Sequence, residues 1–477
     1  MTQKGRSSFG LIRERLGRLA SGNLGALTAS QCLTALASVA ILIMINRVYA
    51  GEGETSDAGR LALVIAIIHG VLLVSASGVA RSVTIRISRA RAERGREAVE
   101  NIARSIGGGL VLTLVFSALL VVLGLALPEA VLAAARRWWP GQADLVGVYV
   151  RPLQVGALWL PGGCLIIVTV AVFDGFQRMR WSLAAEAGTF QMLRLAAAVL
   201  VILVFVWPWT MMALAWAVAY TLAAGLVAVQ LALFLRRRRQ PVRWRALPLR
   251  EMAGDAWLMF LPMIAPLLVT HTGVLVAWAG GGDEASAAFW VTWAMAIAMS
   301  ELSRPVGRLL LPAVPNLRRM PDRHEMARVL RLAFWGVGGV TFLFFVGLTV
   351  AKGWLLAYLH QESHRIVLTV FMTAGFFEVY RTVFNPVLLA TGRKKAIATL
   401  EWLGLGAIVV IGVLAMAAFG LVGLAVVFLM VYLVSAALRV KMIASATGVR
   451  LWLDASVMAA VVLGAGAVIG ALETGLL

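Results

Sequence analysis

Long runs of apolar residues alternate with short polar breaks along almost the whole chain. A membrane-crossing helix needs about 20 such residues. Runs of that kind predict helices at 25–46, 59–80, 105–127, 150–173, 183–206, 210–235, 257–279, 287–311, 329–351, 366–390, 397–418 and 421–440, with a weaker thirteenth at 453–472. The runs are continuous rather than alternating, which argues against a transmembrane β-barrel. The run from Gly25 to Ile45 is too long for the apolar part of a cleaved signal. In the basic stretch ahead of it, Phe9, Ile12, Leu16 and Leu19 fall near one helical face, predicting a short helix on the membrane surface.

Composition makes a soluble fold untenable. Of 477 residues 61% are hydrophobic and 14% charged, and the mean hydropathy is +0.88. Soluble domains run near half apolar and about a quarter charged. A cytosolic enzyme, a disulfide scaffold and a disordered chain are excluded; an all-α polytopic membrane protein remains. The two cysteines, Cys32 and Cys164, lie within apolar runs and read as small hydrophobes.

The formal charge of +20 adds orientation. With the N-terminus inside, the predicted cytoplasmic segments hold 32 of the 43 Lys and Arg, and the opposite loops hold six. That asymmetry predicts a cytoplasmic N-terminus. The outward loops are too short for a catalytic ectodomain, which argues against an integral-membrane polymerase.

The longest basic break follows the sixth span, from Arg236 to Arg245, and divides the chain in two. Gly53-Glu-Thr-Ser-Asp-Ala-Gly59 and Gly282-Asp-Glu-Ala-Ser-Ala-Ala288 occupy matching hairpins 229 residues apart, and Gly78 falls on Gly307 at the same offset. Six spans before the break and six after it, in one orientation, predict parallel repeats. The expected organisation is a basic segment (1–24), an N-lobe (25–235), a basic linker (236–256), a C-lobe (257–440) and an extra helix (453–472).

Charge at mid-bilayer costs about 2.5–3.5 kcal/mol on insertion scales and marks a wet or paired interior. Arg194 lies at the centre of the fifth span, two turns from Glu186, the nearest acid on its own helix. Glu301, Arg304 and Arg308 in the eighth span, and Glu378, Arg381 and Asn385 in the tenth, each line one helical face. His69 and His271 sit near the centres of the second and seventh spans, and Arg81 and Arg86 near the inner end of the second. Each Glu–Arg pair could instead neutralise itself, the histidines could be core residues, and Arg308, Arg81 and Arg86 could snorkel to headgroups.

Motifs of catalysis are missing: there is no G-x-x-x-x-G-K-[ST], H-E-x-x-H or G-x-S-x-G, and no cofactor is implied. The basic stretches flank spans and carry no aromatic platform. Topology and anionic lipid explain them better than nucleic acid does.

Four local stretches carry a resemblance: Asn46-Arg47-Val48-Tyr49 before a Gly/acid turn, Phe173-Asp-Gly-Phe-Gln-Arg178, Leu388-Leu-Ala-Thr-Gly-Arg-Lys394 and Phe419-Gly-Leu-Val-Gly-Leu-Ala425. With the span pattern they make nearly the whole chain resemble the polysaccharide flippases of the multidrug/oligosaccharidyl-lipid/polysaccharide exporter superfamily, the Wzx-type O-antigen and exopolysaccharide translocases. The first turn, Ala50-Gly-Glu-Gly-Glu-Thr-Ser, departs from that group's usual Leu-Gly-Pro-Glu-x-Tyr-Gly. The resemblance implies two six-helix lobes around a V-shaped cavity in a bacterial inner membrane. It also implies an undecaprenyl-pyrophosphate-linked oligosaccharide as substrate and a polysaccharide polymerase or synthase complex as partner.

On the residues' own chemistry, Arg194, Arg304 and Arg381 would bind phosphate oxygens, with Asn385 beside them. Arg308, Arg81 and Arg86 would gather the anionic headgroup. Glu301, Glu378, His69 and His271 offer places for a coupling proton or sodium ion. Three alternatives stand: a cation-coupled multidrug extruder, a lipid II flippase, and a non-transporting accessory subunit of a synthase complex.

Overall fold

The structure is a computed structural model. It describes scattered positions between 34 and 49, then residues 55–92, 95–138, 143–205, 208–245, 247–301, 323–359, 361–449 and 451–474. The amphipathic segment expected within 1–24, most of the first span, and Arg304 and Arg308 lie outside the described residues.

Every described element is helical. In chain order they are α1 (Thr55–Ala92), α2 (Arg96–Trp138), α3 (Ala143–Ala157), α4 (Trp159–Gly175), α5 (Met179–Leu183), α6 (Met192–Val199), α7 (Trp209–Arg237), α8 (Leu249–Glu301), α9 (Arg323–Tyr358), α10 (Arg365–Ala390), α11 (Lys394–Thr447) and α12 (Trp452–Thr474). Two π-helical stretches, Ala184–Gln191 and Leu200–Val204, flank α6. Among the described residues eight helices are long and apolar enough to cross a membrane, and α3 with α4 pass the same test together as a pair bent by 42°. The protein has a polytopic all-α membrane fold.

The breaks have local causes. Pro161 lacks the N–H that Ala157 would accept, and its ring crowds that carbonyl, so the helix bends at Leu158. Gly282 adopts φ 68°, ψ −158°, a conformation that side chains disfavour, and it folds α8 back into the seventh and eighth predicted spans. Gly420 breaks α11 in the same way between the eleventh and twelfth. At the end of α11, Gly448 is left-handed and its N–H bonds the Ala444 carbonyl, a glycine C-terminal stop.

The buried side chains form one continuous apolar core. In the first half it is built on α1, α4 and α7 around Trp159, Phe173, Trp216 and Phe234; in the second it is built on α10 with Phe289, Trp293 and Phe428. By contrast, α2 and α7 leave Leu114, Val115, Leu119, Val122, Leu222 and Val229 exposed, as helices facing lipid must.

The halves meet mainly where α1 packs against α8. Arg60 meets Asp283, Gly70 faces His271 and Arg86 meets Asp255. The residue numbers of each pair sum to nearly the same value, so α1 and the first leg of α8 run antiparallel in register. At 1.5 Å per residue this seam is about 39 Å long.

Candidate functional site

The seam carries an ion cluster at each end. At the end away from the basic loops, Asp283 Oδ2 accepts from Arg60 Nε at 3.0 Å. Its Oδ1 accepts from Tyr149 at 2.5 Å and from Trp278 Nε1 at 2.9 Å. Ser286 Oγ donates to the Gly59 carbonyl at 3.1 Å, and a Cβ on Gly59 would collide with the Asp283 backbone carbonyl, so the two hairpins matched by the sequence repeat touch each other. At the basic end, Arg86 donates to Asp255 (2.9 Å from Nε, 2.7 Å from Nη2) and to Glu251 (3.4 Å). Arg86 was expected to gather an anionic headgroup; here its guanidinium is occupied by acids of the second half. Arg81 lies part-buried on the same helix, nearer the middle.

Between the ends, His69 lies on α1. Its Nε2 is 2.5 Å from the Tyr220 hydroxyl, its ring stacks on Trp216 with centroids 6.2 Å apart, and the His271 ring lies at 6.4 Å. Trp159 stacks on Tyr220 at 5.6 Å and donates its indole N–H to the Ala213 carbonyl at 2.7 Å.

Arg194 enters this aromatic group from α6. Its guanidinium carbon lies 4.8 Å from the Trp216 ring centre and 5.4 Å from Phe190, within cation–π range. Nη1 donates to Gln191 Oε1 at 3.3 Å. Nε is buried with no hydrogen-bond partner among the described residues, and so is the indole N–H of Trp216. No described carboxylate forms an ion pair with Arg194. Two buried donors of this kind cost about 1–3 kcal/mol each unless an acceptor arrives. The π-helical turns on both sides of α6 are of the type often found at functional positions.

A second polar group lies in the other half. Glu378, 2% exposed, is ion-paired with Arg381 one turn on. Asn385 does not join that pair. Its Oδ1 accepts from Arg439 Nε at 2.9 Å and its Nδ2 donates to Glu401 at 3.3 Å, while Arg439 ion-pairs with Glu401 and bonds Ser435. A small cavity opens beside Glu378, Arg381, Glu401 and Arg439, and Val269, two residues before His271, lines it. The segment 269–271 of α8 therefore has the aromatic–arginine group on one side and the charge group on the other. Glu301 is the last residue of α8.

Sequence reasoning missed Glu401 and Arg439. Glu401 lies near the start of a predicted span and was readable as a buried charge; Arg439 was counted among topological charges at a span end. Lys352 was likewise assigned to an outward loop, yet it is 8% exposed, ion-paired with Glu473 and bonded to Thr369 at 2.8 Å. No cluster with metal-binding composition occurs among the described residues.

No protein-family model matches the sequence, and neither does any curated protein sequence. Solved structures do match in fold. An inward-facing multidrug resistance MATE family transporter of the MOP superfamily aligns with TM-score 0.64 at 13% identity over 87% of this chain and 95% of its own. An outward-facing one aligns with TM-score 0.61 at 16% identity, covering 91% and 95%. A MOP superfamily transporter from Pyrococcus furiosus Vc1, described by a binding pocket of reverse polarity, aligns with TM-score 0.64 at 15% identity, covering 88% and 95%. The chain has the fold of these structures.

Proposed function

We propose that this protein is a membrane transporter whose two halves alternate about the α1–α8 seam to carry an anionic lipid-linked oligosaccharide across a bacterial inner membrane. The N-terminus is cytoplasmic in this reading. The observation that carries it is Arg194: a guanidinium at the middle of an apolar span, framed by Trp216 and Phe190, with Nε buried and no carboxylate partner among the described residues. A fixed cation without a counter-ion inside the membrane suits a ligand that brings negative charge. Its planar fork, with the Trp216 indole N–H nearby, suits phosphate oxygens. Undecaprenyl pyrophosphate supplies such oxygens, and its polyprenyl tail would stay in lipid. Arg304 and Arg381 are assigned to the same anion path. Glu378 and His69 are the groups at which a coupling proton would act.

A multidrug extruder would need carboxylates available to organic cations. The buried carboxylates described in the second half, Glu378 and Glu401, are each ion-paired with an arginine, which favours the anion reading. A flippase assay in proteoliposomes, with fluorescent polyprenyl-pyrophosphate oligosaccharide, decides the matter. Arg194→Ala is expected to lower the rate about tenfold or more, the scale of one charge-assisted bond. Arg194→Lys should recover part of it, because the charge remains and the fork is lost. Unchanged flipping by Arg194→Ala, or a preference of the wild type for cationic dyes over the lipid, overturns the proposal.

A further inference from the structure

The basic linker that divides the chain is laid along the first turns of α2. Past the end of α7, Arg239 takes a positive φ of 50° and the Gln240 amide donates to the Leu235 carbonyl at 3.0 Å, which turns the chain back. Gln240 Nε2 donates to the Val99 carbonyl at 3.0 Å, and the Arg243 amide donates to the Ala103 carbonyl at 3.3 Å. Arg243 Nη1 lies 3.8 Å from Glu100. A Cβ on Gly107 would collide with the Arg243 carbonyl and lie 3.2 Å from Leu247. Val99, Ala103 and Gly107 stand four apart, so the linker follows one face of α2.

That face leads into Gly107-Gly108-Gly109. Glycine is the poorest helix former after proline, so three in succession inside α2 need a cause. Gly107 admits the linker backbone, and a Cβ on Gly108 would lie 2.6 Å from the Met252 sulfur; Gly109 instead admits Val83 of α1. Gly107 and Gly108 therefore form a notch that receives the linker and the first turn of α8. Met252 is fully buried. Its neighbours Glu251 and Asp255 hold Arg86. The start of α8 is thus fixed to the first half on two sides, by ion pairs on α1 and by close packing on α2. Positive charge in the linker follows from topology. A glycine notch and a backbone hydrogen bond do not follow from it.

We propose that residues 240–245 and 247–252 form a strap that closes the basic end of the seam, seated in the Gly107–Gly108 notch while that end is shut and leaving it as one piece when the end opens. The inference rests on the alternating motion proposed above. Glu251 and Asp255 cannot move away from Arg86 without drawing Met252 out of the notch, because all three lie on one turn of α8. Leu247 and the Arg243 carbonyl share the notch at Gly107 and follow. The remaining contacts, Gln240 with Val99 and Arg243 with Glu100, are at the surface, so the strap is releasable.

The test uses the full chain in lipid nanodiscs, with Cys32 and Cys164 replaced by alanine and spin labels read by pulsed electron paramagnetic resonance. Val99→Cys/Arg245→Cys reports the distance from strap to α2, and Arg89→Cys/Lys394→Cys the distance between the halves at the basic end; all four positions are exposed. The long-distance fractions of the two pairs should match. Gly107→Leu fills the notch with a better helix former and should raise both fractions about tenfold, the scale of overpacking a close contact. Arg243→Glu sets two acids against each other at the surface and should raise both about threefold. Glu100→Arg with Arg243→Glu restores the attraction and should return both to the wild-type value, which decides the matter if Gly107→Leu melts below wild type. A strap pair that stays short while the halves separate, or one that lengthens in either variant with the halves unmoved, overturns this proposal alone. A single distance between the halves in wild type and every variant overturns both the strap and the alternating motion.

Discussion

Arg439 and Glu401 are 2% and 7% exposed and lie on the two legs of α11, held together by an ion pair and by Asn385 from α10. Their geometry predicts an asymmetric cost. Arg439→Ala leaves Glu401 buried beside an amide that cannot neutralise it, and removing one partner of a buried pair costs about 3–5 kcal/mol. Glu401→Gln with Arg439→Gln removes both charges and should cost clearly less. Thermal unfolding of the purified protein measures both, and equal destabilisation would show that the pair does not act as a unit. The legibility of such charges depended on spacing. Glu378 and Arg381 stand three apart inside one apolar run, so the sequence revealed their shared face. Glu401 and Arg439 are 38 residues apart in the chain, and only the fold back at Gly420 brings them together. Lys352 was misplaced for a related reason: counting basic residues by loop assigns a side to each charge but no depth. Arg194 was legible as an isolated deep charge. Its aromatic surroundings were not, because Phe190, Trp216 and His69 come from three elements with no common period.

Helices were the most legible level, since about 20 apolar residues in sequence admit little else in a bilayer. Each predicted span that falls in the described residues is helical, including 453–472, which lies within α12. Sequence could not show how firmly α12 is fixed. At one end Asp454 accepts from Arg331 Nε at 3.0 Å and Trp335 Nε1 at 2.9 Å; at the other, Glu473 pairs with Lys352 and accepts from Thr369 at 3.1 Å. At the Asp454 end the Tyr380 hydroxyl also donates to the Ala455 carbonyl at 2.9 Å. Thus α12 runs parallel to α9 and antiparallel to α10. The two ends should respond differently to mutation. The Lys352 and Glu473 side chains are 10% and 12% exposed, so Glu473→Ala strands an ammonium in an apolar setting and should destabilise by about 3–5 kcal/mol. Arg331 is 54% exposed, and Asp454→Ala should cost about 1 kcal/mol or less. Melting of the two variants side by side checks this, and the reverse order would mean that the Lys352–Glu473 end is not the anchor.

At the scale of the molecule, transport would require the α1–α8 seam to part at one end while the other stays closed, and the two ion clusters are built unequally for that. Asp283 is 11% exposed and takes three donors from three elements. At the basic end Asp255 and Glu251 are 43% and 74% exposed, so water and salt screen their attraction to Arg86. The basic end should therefore open more readily. Gly70, buried midway along the seam with space for a Cβ 3.6 Å from His271, is a suitable reporter. In a chain with Cys32 and Cys164 replaced by alanine, Gly70→Cys should react with an impermeant maleimide faster from the basic side than from the other. Adding Asp283→Asn removes the charge but keeps the shape, and should raise labelling from the Asp283 side about tenfold, the population change expected for one lost charge-assisted bond. Glu251→Gln with Asp255→Asn should accelerate labelling from the basic side alone, and by less. Labelling that rises equally from both sides in either variant would mean that the clusters stabilise the fold as a whole, and that neither closes one end of an alternating pathway.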